Sequence, residues 1–236
     1  MGNNSHSHDD DSQPSETEAE ANQALEDEDD ELSQPDELDL ALPGAPAVDV
    51  QAPDQIIELY GLCLEYVKRA LGIELDFTDE TLPILDHYLT IARTDIEGRP
   101  ELARIVYTAV GAYFGELIRR RVNGFWSIPN PDYFNWRVCA RHVFLSLNPI
   151  GAICEALAQS EEHEGPSAEM HLAPEDRELV AERLANAPPV PEGEYYLLST
   201  RLEALDITVE ILRLAMQTGG HSSVEFEIED YESANY

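Results

Sequence analysis

The sequence predicts an α+β domain that is predominantly helical, with five or six helices and a small antiparallel β-hairpin or sheet, flanked by disordered acidic tails. Three observations predict it. The chain has 236 residues with 43% apolar content, enough for one real core. Residues 1–50 hold 16 Asp and Glu, no Lys or Arg and no aromatic residue, so they cannot bury enough surface to offset their ordering entropy. Between about residues 53 and 217 most apolar residues recur at helical spacing, and a short stretch after residue 124 switches to aromatic and β-branched residues. The division expected is an acidic arm over 1–52, one folded domain over 53–217 and an acidic tail over 218–236.

The elements follow in order. Pro53 and Asp54 open a first helix whose stripe of Ile56, Ile57, Leu59, Tyr60, Cys63, Leu64 and Val67 ends at Gly72. Thr78 precedes Asp79 and Glu80 and starts a second, carrying Leu82, Leu85, Leu89 and Ile91. Pro100 suits the first position of a third, over 100–122. Gly111 and Gly115 lie four apart on it, which permits another element to approach closely. Helical spacing stops at Asn123-Gly124, and Phe125 to Ile128 is bounded by the turn cluster Pro129-Asn130-Pro131-Asp132. Trp136 to Leu145 reads as one strand, on which Arg137, Cys139 and Arg141 share a face. Asn148-Pro149 starts a short helix to Ala158, Ala173-Pro174-Glu175 another to about Ala187, and a long last helix runs over about 193–217. Beyond it, Val224 to Ile228 alternates strictly; the segment is read as a second acidic tail, with edge-strand pairing as the alternative.

Charge narrows the partners. The formal net charge is −34, and Lys68 is the only lysine beside 13 arginines. Such a surface repels phosphate backbones and anionic lipids, so no direct nucleic-acid or membrane binding is expected. No apolar run reaches the roughly 20 residues of a membrane span and no export signal is evident, so a cytoplasmic location follows as an expectation. Three cysteines, Cys63, Cys139 and Cys154, make no disulfide framework and are read as reduced and buried.

Gly111, Gly115-Glu116, Arg119-Arg120-Arg121, Gly124 and Trp126 together form a Gly-Glu…Arg-Arg…Gly-x-Trp stretch. It resembles the helix-to-strand core of a family of small uncharacterised bacterial domains, over about residues 55–158. The resemblance implies a helix–hairpin–helix fold and a bacterial source, and it implies no activity.

Cys139-x-x-His142 with Cys154 and His163 lacks the compact paired ligands of structural zinc, and no metal or cofactor is expected. No nucleophile elbow, Walker A or dinucleotide motif is present, and no catalytic residue is assigned. Asp86 and His87 are neighbours in a helix and project about 100° apart, so they form no orienting pair. One stretch stands out: from 116 to 147 the charge is +3, with Arg119, Arg120, Arg121, Arg137 and Arg141 interleaved with Trp126 and Trp136. It reads either as arginines pairing with neighbouring acids or as an anion- or ligand-binding face, open to a carboxylate, a phosphate or the protein's own acidic arm. The functional expectation is a non-enzymatic protein-interaction module whose acidic arm engages a basic protein, in a larger assembly or as an immunity-type inhibitor. Leu38, Leu40 and Leu42 are its anchor candidates. The alternatives are a small-molecule or anion-binding domain or enzyme using the Arg/Trp face, and plain salt adaptation.

Overall fold

The computed structural model of the protein describes residues 51–233. The acidic arm and its Leu38, Leu40 and Leu42 lie outside the described residues. Among the described residues, seven α-helices and four short strands follow one another: α1 (Asp54–Leu71), α2 (Leu82–Gly98), α3 (Ala103–Arg121), β1 (Phe125–Ser127), β2 (Arg137–Cys139), β3 (Leu145–Leu147), α4 (Pro149–Ala158), β4 (His171–Leu172), α5 (Arg177–Ala185), α6 (Leu198–Thr218) and α7 (Ile228–Ser233).

The central element is α3. Every residue from Thr108 to Arg119 is buried, because α1 packs along one side of it and α4 along another. Its two glycines make the second contact possible. A Cβ on Gly111 would stand 2.5 Å from Ile150 Cγ1, and one on Gly115 would overlap the Trp126 ring and come within 2.7 Å of Pro149 Cγ. The helices thus meet at backbone distance, where each fully buried Phe114, Ile118 or Ile150 side chain contributes about 1.5–3 kcal/mol. Gly72 ends α1 in the left-handed conformation at φ 71°, and its N–H satisfies the carbonyl of Lys68. A 3₁₀ turn leads into each of α2 and α3, at Asp79–Thr81 and Pro100–Leu102, so the regular helices start a turn later than their sequence signals.

The strands form one antiparallel sheet in the order β1-β2-β3-β4, with Trp126 opposite Val138 and Cys139 opposite Ser146. The single strand expected over 136–145 is therefore corrected. The chain reverses between Cys139 and Leu145, where Ala140 N–H bonds back to the Leu145 carbonyl at 2.9 Å. Arg141 and His142 sit in that turn, so Arg137 and Arg141 do not share a strand face.

The tail expected over 218–236 is corrected as well, as far as Ser233. Phe226 donates its N–H to the Arg141 carbonyl at 2.7 Å, and α7 follows. Tyr231 of α7 is buried against the 140–145 turn, with its hydroxyl 2.7 Å from the Ala140 carbonyl and accepting the Leu145 N–H at 3.1 Å. Its ring stacks on Phe144 at 4.7 Å. The alternating apolar residues of 224–228 thus dock a helix on the turn and add no strand to the sheet. Among the described residues, no helix is long and apolar enough to cross a membrane.

Candidate functional site

The arginine-rich stretch resolves into separate structures. Glu116 is 2% exposed and lies one helical turn before Arg119 and Arg120, which is the spacing at which helix side chains meet. Arg119, 3% exposed, grips its carboxylate with two bonds of 2.8 and 2.9 Å. Arg120 adds a third at 2.9 Å while its guanidinium lies 4.0 Å from the centre of the Phe77 ring, and Trp126 donates its indole N–H at 3.4 Å. Burial pushes the Glu116 carboxyl up, but the bonds and charges of the two arginines more than offset this and hold it below its ordinary value. Arg121 points elsewhere, making a bidentate pair with Asp206 at 2.6 and 2.7 Å and reaching Asp79 at 3.2 Å.

The remaining sequence candidates do not join this knot. Arg137 is half-buried on β2 with no ion-pair partner among the described residues, and Arg141 stands 4.0 Å from Glu225 in the turn. Trp136 is buried and gives its indole N–H to the Asn130 carbonyl at 2.9 Å. The structure brings together Arg119, Arg120 and Trp126 around one acid, and leaves Arg121, Arg137, Arg141 and Trp136 apart.

The cysteines are buried and unpaired. Burial pushes the Cys139 and Cys154 thiols up to about 12 and Cys63 higher still, so none is a thiolate at neutral pH. Among the described residues no group of three or more His, Cys, Asp or Glu is placed to hold a metal ion. Asp86 is taken up by structure: it accepts the N–H groups of Leu198 at 2.7 Å and Ser199 at 3.2 Å and so caps α6 from α2, while His87 is exposed.

A polar cavity of about 470 Å³ opens between α2, α3 and the loop after α4. Arg93 lines it from α2. Its Nη2 donates to the Ala156 carbonyl at the end of α4 at 2.8 Å, and its Nε is buried with no acceptor among the described residues. Tyr107 of α3 and Tyr133 face the same space. Burial pushes both phenols up, so both hydroxyls stay protonated, and neither has a hydrogen-bond partner among the described residues. Cys154 and His163 form the far wall, with Gly165 closing over them and giving its N–H to His163 Nδ1 at 2.9 Å. His163 Nε2 lies 4.0 Å from the buried carboxylate of Glu155. Glu155 is shared with Arg201, yet burial outweighs the pull of that guanidinium and raises its carboxyl. A larger groove of about 660 Å³ runs beside α6, walled mainly by apolar residues such as Phe144, Leu212, Met216 and Phe226.

Sequence reasoning missed the cavity. Arg93 and the Ala156 carbonyl are 63 residues apart, and no spacing rule connects them. The Glu116 knot was readable from the i, i+3 and i, i+4 positions of Glu116, Arg119 and Arg120. No family model, no curated protein and no solved structure matches the chain.

Proposed function

We propose that this is a cytoplasmic protein-interaction module rather than an enzyme, whose acidic arm engages a basic protein partner. The observation that carries the reading is the separation of charge along the chain: residues 1–50 bear 16 acids and no base, whereas all 14 Lys and Arg lie beyond residue 50. A polyanionic segment of that density raises the encounter rate with a basic surface and contributes affinity that falls with salt. Three of the five arginines that form the chain's most basic stretch are committed to Glu116, Asp79 and Asp206. This favours an external basic partner over a docking face for polyanions on the domain itself. Leu38, Leu40 and Leu42 supply the apolar anchor in the arm, and the folded domain is what the arm brings to the partner.

The test compares the full chain with a variant in which the block Glu26–Glu31 is replaced by Gln and Asn. Affinity capture from the native host should retain a protein of basic isoelectric point on the full chain, released by rising salt, and lose it from the variant. Replacing Leu38, Leu40 and Leu42 by Ala should weaken capture and leave its salt dependence unchanged. Equal capture by the full chain and the charge-neutralised variant contradicts the reading.

A further inference from the structure

The cavity beneath α2 carries a second function that does not depend on the arm. We propose that it binds a small molecule bearing both a carboxylate and a protonated amine, an amino acid with an apolar or aromatic side chain. Arg93, Tyr107 and Tyr133 are the carboxylate's donors.

Three observations converge on this ligand. First, the donors are unspent. Only Nη2 of the Arg93 guanidinium is bonded, its Nε is buried without an acceptor, and the Tyr107 and Tyr133 hydroxyls have no partner among the described residues. The desolvation cost of an unmatched buried donor falls on the Arg93 Nε alone, and the two accessible hydroxyls are open donors to whatever fills the cavity. A carboxylate is the acceptor that best suits a guanidinium flanked by hydroxyls.

Second, a simple anion does not fit the mouth. Glu97 and Glu164, both exposed, line the same cavity, in a protein of net charge −34. Their field opposes entry of a purely negative ligand, so the ligand must bring a compensating cation to the rim. A bare amine fails for the opposite reason, since it leaves the inner donors unmatched.

Third, part of the lining is apolar. Ile96 and Leu157 line the same space as the two tyrosines and suit a hydrocarbon or aromatic side chain. The volume of about 470 Å³ lies within the range of roughly 300–1,000 Å³ common to small-molecule pockets. Cys154 adds bulk to the wall, and burial holds its thiol protonated.

The test is calorimetric titration of the full-length protein with L-phenylalanine and L-leucine, beside phenethylamine and hydrocinnamate, which lack the carboxylate and the amine respectively. The expected result is saturable binding of at least one amino acid, and binding at least about tenfold weaker for each truncated analogue, as loss of a charged partner implies. Arg93→Gln should weaken the amino acid by about tenfold or more. Arg93 also bonds the end of α4, so a second variant guards the test: Glu97→Gln with Glu164→Gln, both on exposed side chains, should weaken the amino acid severalfold and leave hydrocinnamate bound equally or better. Absence of binding by both amino acids overturns the proposal. So does binding of phenethylamine or hydrocinnamate as tight as that of phenylalanine, or amino-acid binding that none of these substitutions changes.

Discussion

Two polar regions on α2, α3 and α4 make opposite use of arginine. Around Glu116, two guanidiniums and an indole converge on one buried carboxylate, and the N–H groups of Arg119 and Arg120 that face inward have found it. Around Arg93, one guanidinium and two phenols line a cavity, and a single bond to a backbone carbonyl accounts for all the pairing. The difference teaches that density of positive charge along the chain does not locate a binding site. The densest arginines are matched to acids one helical turn or one helix away, and they hold the fold. Among the described residues, Arg93 is the arginine with a buried donor left unmatched, and it is the one proposed to meet a ligand.

The sharpest way to break this contrast is Glu116→Gln. It keeps the shape but strands the buried Arg119, and it should cost about 3–5 kcal/mol in urea denaturation. A cost under 1 kcal/mol would show that the knot does not hold the fold. Gly115→Ala comes next, because its Cβ drives into the Trp126 ring that rests on Glu116; about 1–3 kcal/mol is expected by the same measurement. Arg93→Gln removes one bond to Ala156 together with an unmatched N–H, so about 1 kcal/mol or less should be lost. Tyr133→Phe should change the midpoint by no more than about 0.5 kcal/mol, since the hydroxyl has no protein partner. The two cavity substitutions thus act on binding, and the two knot substitutions act on stability.

Acid sharpens the comparison further. The folded Glu116 carboxyl lies below its ordinary value of 4.5, so its contribution is complete above that pH and is lost as the pH falls through the lower folded value. Glu155 is raised in the fold, so it acts in the other direction: stability falls as the pH rises from 4.5 through its folded value. Urea midpoints followed from about pH 3 to 6 should fall less steeply on the acid side in Glu116→Gln, while Glu74 and Asp76, also held low, keep part of that limb. In Glu155→Gln that limb should remain.

Much of the helical frame was legible in the sequence because its signals are local. Gly72 ends α1 where the stripe predicts, and the Gly111–Gly115 spacing predicts the close approach of another element, which the structure supplies as Ile150, Pro149 and Trp126. The break between β2 and β3 was not legible. The residues from Trp136 to Leu145 include aromatic and β-branched residues on both sides of Arg141 and His142, and no Gly or Pro marks the reversal. What holds that turn is Tyr231, some 90 residues away, and no periodicity in the C-terminal segment reveals its partner. The candidate cavity was hidden for the same reason: Arg93, Tyr107, Tyr133 and Cys154 come from four places in the chain and meet only after α2, α3 and α4 have packed.

The central claim, that unmatched donors rather than clustered charge mark the ligand site, is tested most directly by the guanidinium Nε–Hε resonances. In a proton–nitrogen spectrum of the full-length protein titrated with L-phenylalanine, the Arg93 resonance should move to saturation while those of Arg119 and Arg120 stay in place. Movement of Arg119 or Arg120 with Arg93 unmoved would contradict the account.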